Sequence, residues 1–487
     1  MLNLCVLLDS TYLGTAEEVL RDIANHTLYQ KDFLEVAVEK EYSQYADVII
    51  ANPPYVRTQL LGAAKAQEIS KTFGLDGRVD LYYAFIIGMT NILKKGGLLG
   101  ILTSNRYLTT KSGAPIRKFL LEHYDILEII DLGDTKLFDA AVLPAIFIGR
   151  KKNSKGQISC PCNYSKTYEY MGTNVVSATS VSSVYDIIRS SQSGIYQLAD
   201  KGLRYEHSVG LLKHNASPDS IWQMTNEQEN AWIDSVLAHS SFVIKDFFKV
   251  RVGIKSCADN VYIKAHWEEE KYQPEQALLL NLISSENITA WHTNLEQCSK
   301  VLYPHYSYQG KRYAVSLDAY PQTRQYLEQH RNQLISRTYL EEAHRLWYEM
   351  WVPQNPALFK MPKLVFPDIS LEPRFAYDNT GAIVNGNCYW IVAQNQEEEQ
   401  LLYLIEGVAN SRLMVKYHDL RFNNKLYSGR RRYLTQYVEK YPMPNPENIY
   451  SQKVIEIAKQ LNACKDESAK CCLIAELNTN VEKAFGF

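Results

Sequence analysis

The chain has 487 residues, of which 46% are apolar and 22% charged, a globular composition that excludes a wholly disordered or fibrous protein. Its length predicts about three domains, with two large ones equally allowed. The 52 basic and 54 acidic residues leave a net charge of −2, so nucleic-acid binding would require a locally basic face. The apolar runs are far shorter than the ~20 residues that span a bilayer, which argues against a membrane protein. Nine irregularly spaced cysteines and the lack of a signal-peptide pattern predict a cytoplasmic location.

Predicted strands and helices alternate between residue 1 and about residue 150. Helical patterns occupy residues 81–93, which run into a Lys-Lys-Gly-Gly stop, and 115–123, where Pro115 suits a first helical position. Alternation of this kind is typical of a parallel, doubly wound α/β sheet. The predicted buried strands are residues 46–51, 98–103, 127–132 and 142–148.

The remaining chain has a different character. Residues 151–240 are interpreted as a connecting region, because seven serines fall between residues 177 and 193. All seven tryptophans lie beyond residue 220, which indicates a second, mixed α+β domain over 241–450. We expect short strands at 247–254 and 363–367, a long helix over 320–347, and a C-terminal helix within 451–487.

The most informative segment is a short apolar strand that runs directly into Asn52-Pro53-Pro54-Tyr55. Open α/β sheets bind ligands at the carboxyl ends of their strands, and two prolines stiffen the turn that presents Asn52. The Asn52 side-chain carbonyl and the Pro53 main-chain carbonyl could orient an exocyclic amine that attacks a methyl sulfonium. Tyr55 could stack on the base that carries this amine. The alternative is an Asx-Pro turn after a core strand.

With this motif, the chain resembles the N6-adenine DNA methyltransferases of type II and IIG restriction-modification systems, in which a target-recognition domain follows the catalytic domain. The likeness continues through residues 79–85 with the helix that follows, and through residues 96–105. It implies that Asp32 and Phe33 contact the adenine of S-adenosyl-L-methionine, the methyl donor. It also implies that Phe138, at the end of residues 129–138, packs with Tyr55 on a flipped target adenine.

One part of the family pattern is missing from the sequence. The family's Gly-rich cofactor loop precedes the Asp-Phe pair, but the 31 residues before Asp32 contain a single glycine, Gly14. We therefore expect an incomplete Rossmann-like methyltransferase sheet. Three explanations stay open: a separate polypeptide supplies the missing part, the gene is a decayed copy, or the sequence is part of a longer chain. A nuclease signature is equally lacking, so a nuclease would also belong to a partner.

Double-stranded DNA is the partner that the resemblance implies. Residues 244–255, with Arg251 and Lys255, resemble the opening of the family's recognition domain. Residues 421–432 contain five basic residues and no acidic one, with Tyr427 inside the cluster. Lys and Arg contact phosphates, although a solvated loop would have the same composition. The predicted DNA-binding residues are Arg251, Lys255, Lys425, Arg430, Arg431 and Arg432.

The sequence predicts no metal site. Cys160, Cys162, Cys471 and Cys472 lack the paired spacing of zinc ligands and are interpreted as free thiols, and methyl transfer from a sulfonium requires no metal. The predicted function is site-specific adenine N6-methylation of DNA. A catalytically inactive or partner-dependent DNA-specificity fragment is the main alternative, and methylation of RNA or of a protein glutamine is a third.

Overall fold

A computed structural model describes residues 31–56, 61–75, 80–135, 137, 143–154, 162–170, 177–212, 221–422, 425–426 and 429–487. The chain forms two compact units. Unit 1 contains residues up to 131, with 144–163 and 216–220, and unit 2 contains 132–143, 164–215 and 221–487. The domain boundaries at residues 150, 240 and 450 stay predictions.

Unit 1 is built on four adjacent strands in the order β1-β2-β4-β3. Strand β1 pairs with β2 in parallel, whereas β4 lies antiparallel to both β2 and β3. The predicted α/β class is confirmed, but the expectation of a parallel sheet is wrong for β4. Strand β4 follows β3 in the chain and lies beside it, with no helix among the described residues between them, and such successive strands pair antiparallel. The strands are β1 (Ala46–Ala51), β2 (Leu93–Ser104), β3 (Tyr124–Asp131) and β4 (Pro144–Lys151).

Five α-helices of unit 1 lie within the described residues. The central one is apolar on all sides and is buried, with Tyr82, Ile86 and Met89 at most 1% exposed. This helix passes at Leu93 directly into β2, so the strand begins before the predicted residue 98. The Lys-Lys-Gly-Gly segment that was expected to end the helix lies inside the strand. The helices are α1 (Phe33–Val36), α2 (Ala63–Phe73), α3 (Tyr82–Ile92), α4 (Arg106–Thr109) and α5 (Ala114–His123).

Within the described part of the chain, strand β1 has an exposed apolar face. Its alternate residues Val48 and Ile50 are 57% and 85% exposed. Among the described residues, β2 is the one strand that pairs with β1. Edge strands of this kind offer unpaired backbone groups to another strand.

Unit 2 contains the short strands of the second part of the chain, and it confirms the predicted α+β character. Strands β5 to β8 are adjacent in the order β5-β8-β7-β6, and two further four-stranded sheets have the orders β10-β22-β18-β20 and β11-β15-β12-β21. The strands are β5 (Asn163–Glu169), β6 (Thr179–Val181), β7 (Gly194–Leu198), β8 (Arg204–Leu211), β9 (Phe242–Val243), β10 (Arg251–Val252), β11 (Ile263–Lys264), β12 (Leu279–Ile283), β13 (Ile288–Thr289), β14 (His292–Thr293), β15 (Lys300–Leu302), β16 (His305–Tyr308), β17 (Lys311–Ala314), β18 (Lys363–Pro367), β19 (Ile369–Ser370), β20 (Ala376–Asp378), β21 (Ile383–Val384), β22 (Cys388–Val392), β23 (Arg431–Arg432) and β24 (Pro442–Met443).

The helices of unit 2 are mostly short. They are α6 (Val184–Ile188), α7 (Glu227–Ala238), α8 (Ile244–Phe247), α9 (Asp259–Tyr262), α10 (Pro321–Gln329), α11 (Arg331–Ile335), α12 (Thr338–Glu342), α13 (Pro356–Phe359), α14 (Gln396–Ala409), α15 (Arg412–Phe422), α16 (Thr435–Val438), α17 (Ile449–Ala463) and α18 (Glu467–Ala484).

Three predictions for unit 2 are wrong in detail. The long helix over 320–347 is broken into α10, α11 and α12. The second break lies at Arg337, which is buried and whose guanidinium donates to the carbonyls of Ser256 and Trp347. The C-terminal helix is two helices, since Asp466 caps α18 by accepting from the backbone N–H of Ala469. Of the strand predicted over 247–254, only Arg251–Val252 forms one, whereas the strand at 363–367 is confirmed.

Apart from a small cluster around Ile187, Tyr196 and Leu198, two apolar clusters form the described core of unit 2. One joins α7, α14, α15, α17 and α18 with neighbouring strands, and the other lies around β12, β15 and β21.

A buried ion pair lies where β18 meets β20: Lys363 Nζ is 2.5 Å from Asp378 Oδ2, and both side chains are fully buried. Lys363 also donates to the Phe359 carbonyl, while Thr293 and Thr380 donate to Asp378. Of the helices that the structure describes, none is both long and apolar enough to cross a bilayer.

Candidate functional site

The turn after β1 holds the Asn52 side chain in a defined orientation. Pro53 is buried and anchors the turn, whereas Asn52 is exposed beyond the strand end. The Tyr55 hydroxyl donates a 2.8 Å hydrogen bond to Asn52 Oδ1. After the turn, the Val56 carbonyl accepts from the Leu81 amide at 2.8 Å, which ties the segment to the start of α3.

Tyr55 is suited to remain a hydrogen-bond donor. Its burial raises the pKa of the phenol above the ordinary value of 10.0, so the hydroxyl keeps its proton at neutral pH. A carboxamide oxygen has two acceptor sites, and Tyr55 occupies one of them. The arrangement therefore leaves Asn52 able to accept one further N–H from a bound molecule, in an orientation that Tyr55 fixes.

A second polar pair lies at the same edge of the sheet. Strands β1, β2 and β3 run in one direction, so their carboxyl ends meet at this edge. Asn105, directly after β2, donates to Asp131 Oδ1 at 3.1 Å, and Asp131 is fully buried at the end of β3. Sequence reasoning did not single out this pair, although both residues lie inside the resembling segments 96–105 and 129–138.

Asp32 and Phe33 begin α1. Asp32 is exposed, and its Oδ1 accepts from the Leu34 amide at 2.9 Å as the helix cap. The Phe33 ring stacks on Phe85, with ring centroids 5.3 Å apart and planes 13° from parallel. A Cβ at Gly88 would lie 3.2 Å from the Phe33 ring, so a glycine there lets α1 lie close against α3. The pair thus combines an exposed carboxylate with a half-buried aromatic ring.

Phe138 lies outside the described residues. The segment that leads to it is anchored in unit 2 by Gly133 and Asp134. Gly133 has φ of 49°, and an added Cβ would lie 2.2 Å from the Thr167 carbonyl, so only glycine fits. Asp134 is buried and accepts from the Glu169 amide at 2.7 Å.

The predicted DNA-binding residues at the start of the recognition region have different surroundings. Arg251 is partly buried in β10: its guanidinium carbon lies 5.9 Å from the centroid of the Trp390 ring, and Nη1 donates to the Lys249 carbonyl at 2.9 Å. Burial lowers the pKa of Arg251, although the group remains charged. The Lys255 side chain is exposed, and its backbone pairs with that of Val352.

The basic cluster at 421–432 divides into anchored and exposed residues. Arg431 donates to both carboxylate oxygens of Asp419, at 2.6 and 2.9 Å. Lys425 Nζ lies 3.6 Å from the same carboxylate and 3.8 Å from Glu206. Arg430 and Arg432 are exposed, and Tyr427 lies outside the described residues. The structure therefore brings Lys425 and Arg431 together on Asp419 and places Arg430 and Arg432 on the surface.

The Asp419 carboxylate is stabilised in its charged form. Burial acts to raise its pKa, but the hydrogen bonds from Arg431 and the charges of Lys425 and Arg431 outweigh burial and leave the pKa lowered. Asp419 thus holds Arg431 through a bidentate, charge-assisted pair. Elsewhere in the described part of the chain, no three His, Cys, Asp or Glu side chains converge as metal ligands would.

Two family models match the chain. Residues 9–138 match the Eco57I restriction-modification methylase family, and residues 308–443 match the TaqI-like C-terminal specificity domain. The first match includes Asn52 to Tyr55, Asp32 and Phe33. The second includes Lys425 and the three arginines at 430–432.

Named relatives agree with these matches. The type II methyltransferase M.BanIII of Aneurinibacillus aneurinilyticus is 47% identical over 427 residues, which are 85% of this chain and 72% of the relative. The type II methyltransferase M.BstVI of Geobacillus stearothermophilus is 24% identical over 90% of this chain and 74% of its own length. Among solved structures, the type IIL restriction-modification enzyme MmeI in complex with DNA has a similar fold, with a TM-score of 0.57 at 12% identity. That match covers 91% of this chain and 55% of the MmeI chain. The identity to M.BanIII, over most of both proteins, places this chain in the family of type II restriction-modification DNA methyltransferases.

Proposed function

We propose that this protein transfers a methyl group to N6 of a specific adenine in double-stranded DNA, as the modification enzyme of a cytoplasmic restriction-modification system. The single observation that carries this proposal is the fixed Asn52 side chain at the carboxyl end of β1, with Tyr55 bonded to its oxygen at 2.8 Å. An amide acceptor of this kind suits an exocyclic amine. Membership of the type II methyltransferase family supports DNA as the substrate.

In this proposal Asn52 and Pro53 orient the target amine. Asn52 Oδ1 and the Pro53 carbonyl accept the two N–H groups of the adenine, which points the nitrogen lone pair at the methyl donor. Tyr55 and Phe138 hold the flipped ring. Because N6 is weakly nucleophilic, orientation and exclusion of water supply most of the rate enhancement. The turn contributes to this because its two prolines limit its freedom before substrate binds.

Asp32 and Phe33 fit the adenine of S-adenosyl-L-methionine. The exposed carboxylate of Asp32 has one oxygen in the helix cap and a second oxygen beyond it, and Phe33 has one ring face on Phe85. These residues would hold the cofactor by hydrogen bond and ring contact. When bound, S-adenosyl-L-methionine supplies the electrophilic methyl group.

The recognition of DNA is assigned to unit 2. The exposed side chains of Lys255, Arg430 and Arg432 are proposed to contact phosphates, together with the partly buried Arg251 and Lys425. Arg431 would act mainly by positioning its neighbours, because its guanidinium is held by Asp419. The recognition domain would then select the site at which adenine is methylated.

The proposal is tested by transfer of labelled methyl from S-adenosyl-L-methionine to mixed-sequence DNA. We expect label in N6-methyladenine, its loss in Asn52→Ala, and retained DNA binding in that variant. Asn91→Ala serves as the matched control, because Asn91 is also an exposed asparagine of unit 1. Label in RNA or in protein glutamine instead of DNA would overturn the proposed substrate.

A partner-dependent specificity fragment is the second candidate function, and the uncovered face of β1 favours it. Val48 and Ile50 expose apolar area on the strand that leads to Asn52. A strand from another polypeptide could cover this edge and complete the cofactor site, and the same partner could carry a nuclease. Cofactor binding and methyl transfer by the purified chain alone would exclude this candidate. DNA binding without cofactor binding would support it.

A further inference from the structure

The two-stranded hairpin formed by β16 and β17 is a compact, well-defined projection of unit 2. Its cross-strand pairs are His305 with Ala314, Tyr306 with Tyr313, Ser307 with Arg312, and Tyr308 with Lys311. The turn is formed by Gln309 and Gly310, which have φ of 49° and 74°. Two consecutive positive φ values are typical of the tight turns that match the twist of a hairpin.

The base of this hairpin is fixed in the protein core. His305 is buried, and its Nε2 accepts from the Met350 amide at 3.2 Å. Burial lowers the pKa of His305 to about 3, so the ring is neutral and keeps this acceptor at physiological pH. Just before the hairpin, the buried Tyr303 hydroxyl donates to the Pro353 carbonyl at 2.6 Å. Since its base is held in this way, the hairpin presents its outer residues in a defined place.

One face of the hairpin is exposed along its whole length. Directly opposed residues of antiparallel strands point to the same side, so Tyr306, Tyr308, Lys311 and Tyr313 share one face. The three tyrosines are 47%, 61% and 42% exposed, and Lys311 is exposed as well. The Tyr306 and Tyr313 ring centroids are 5.7 Å apart. A rigid aromatic face of this kind indicates a binding surface, because Tyr gives contact area and a polar tip at low entropic cost.

The charge of the hairpin determines the kind of partner. Residues 304–317 include Lys311 and Arg312 and contain no acidic residue. Both basic side chains are exposed, and neither forms an ion pair within the described ranges of the chain. The partner that complements such a surface is a polyanion. A two-stranded ribbon also has the width that the major groove of DNA admits.

We propose that the β16–β17 hairpin enters a groove of double-stranded DNA as a recognition element. Lys311 and Arg312 contact phosphates, and Tyr306, Tyr308 and Tyr313 contact sugars and base edges. This inference rests on the proposed function and extends it, since it assigns DNA contact to residues outside both the basic cluster at 421–432 and the pair of Arg251 and Lys255.

The first test measures the contribution of the two charges. The purified protein and its Lys311→Gln/Arg312→Gln variant are titrated with fluorescent duplex DNA at several salt concentrations. We expect affinity to fall about tenfold or more near 0.15 M salt, and the slope of log affinity against log salt to fall by about 2. The matched control is Arg189→Gln/Lys201→Gln, which removes the same charge from exposed residues of unit 2.

The second test measures the aromatic contact. Tyr308→Ala should weaken DNA binding about fivefold or more, whereas Tyr185→Ala, at a residue 64% exposed, should not. A benzoylphenylalanine placed at position 308 should cross-link to duplex DNA on illumination, and one at position 185 should not. Unchanged thermal unfolding of each variant establishes that it is folded.

The outcomes separate the inference from the proposed function. If the unmodified protein binds DNA and the hairpin variants bind equally well, the hairpin inference is wrong and the proposed function stands. If the unmodified protein does not bind duplex DNA, both are overturned. Loss of binding in the hairpin variants alone, with cross-linking at position 308, supports the inference.

Discussion

The Tyr55 hydroxyl is bonded to the side-chain oxygen of Asn52, three residues earlier, at 2.8 Å. This contact lies within a single turn, so it forms without help from distant parts of the chain. Between the two residues, Pro53 and Pro54 restrict the backbone. The turn therefore sets the Asn52 amide before any substrate is bound.

The first prediction concerns this hydrogen bond. Tyr55→Phe keeps the ring but removes the hydroxyl, so Asn52 loses its orienting donor. A hydrogen bond of this kind contributes about 1 kcal/mol, which predicts a five- to tenfold lower single-turnover rate of methyl transfer at unchanged DNA affinity. Tyr45→Phe, at an exposed tyrosine of unit 1, is the control. An unchanged rate in Tyr55→Phe would mean that Asn52 is oriented by other contacts.

The second prediction separates anchored from exposed arginines in the basic cluster. Arg431→Lys cannot reproduce the bidentate pair with Asp419, so the free energy of unfolding should fall by about 1–3 kcal/mol in urea denaturation. Arg430→Ala should leave stability within about 0.5 kcal/mol and weaken DNA binding. If Arg431→Lys kept its free energy of unfolding but bound DNA more weakly, Arg431 would be assigned a direct contact with DNA.

The third prediction concerns the buried pair of Lys363 and Asp378. Asp378→Ala leaves the Lys363 ammonium buried without its counter-charge, which should reduce the free energy of unfolding by about 3–5 kcal/mol. Asp318→Ala, which removes an exposed partner of Arg324, should cost about 0.5 kcal/mol or less. Chemical denaturation of both variants gives the comparison. Equal small losses would contradict the burial of the pair.

The fourth prediction concerns the pH dependence of stability. Glu406 is fully buried in α14, and burial raises the pKa of its carboxyl well above the ordinary value of 4.5. The folded state therefore favours the protonated form. The stability associated with this proton is complete below pH 4.5 and is lost as pH rises towards the higher folded-state pKa.

A glutamine at position 406 is neutral at every pH, so the Glu406→Gln variant does not lose this stability as pH rises. Relative to the unmodified protein, the variant should become progressively more stable as pH rises above 4.5, as measured by urea denaturation at each pH. Glu397→Gln, at an exposed residue of the same helix, is the matched control. A stability difference between Glu406→Gln and the unmodified protein that does not change with pH would contradict this prediction.

The turn from Asn52 to Tyr55 could be predicted because its information is local. An apolar strand, two prolines and a polar residue at the strand end lie within ten consecutive residues. The antiparallel insertion of β4 between β2 and β3 could not be read in the same way, because strand order depends on pairings between distant segments. The break at Arg337 is similar, since it depends on carbonyls of Ser256 and Trp347.

Composition alone could not predict which residues of the basic cluster are exposed and which are held by an acidic partner. Lys425 and Arg431 have the same chemistry as Arg430 in the sequence, yet Asp419 on α15 holds the first two and not the third. The hairpin at 305–314 has a local signal, namely tyrosines on both sides of Gln309-Gly310 and two basic residues directly after this turn. The composition of the whole chain, with 34 tyrosines, does not reveal a short segment of this kind.

The pair of Lys363 and Asp378 also constrains how β18 and β20 align. The two residues face each other in the pairing, and their side chains are surrounded by apolar strands. A slip of one residue would turn the side chains of the slipped strand to the opposite face and separate the two charges inside the core. Such an alignment would bury two unpaired ions, at a cost of several kcal/mol each. The ion pair therefore favours the native register of β18 and β20 over shifted registers that would bury equally apolar side chains.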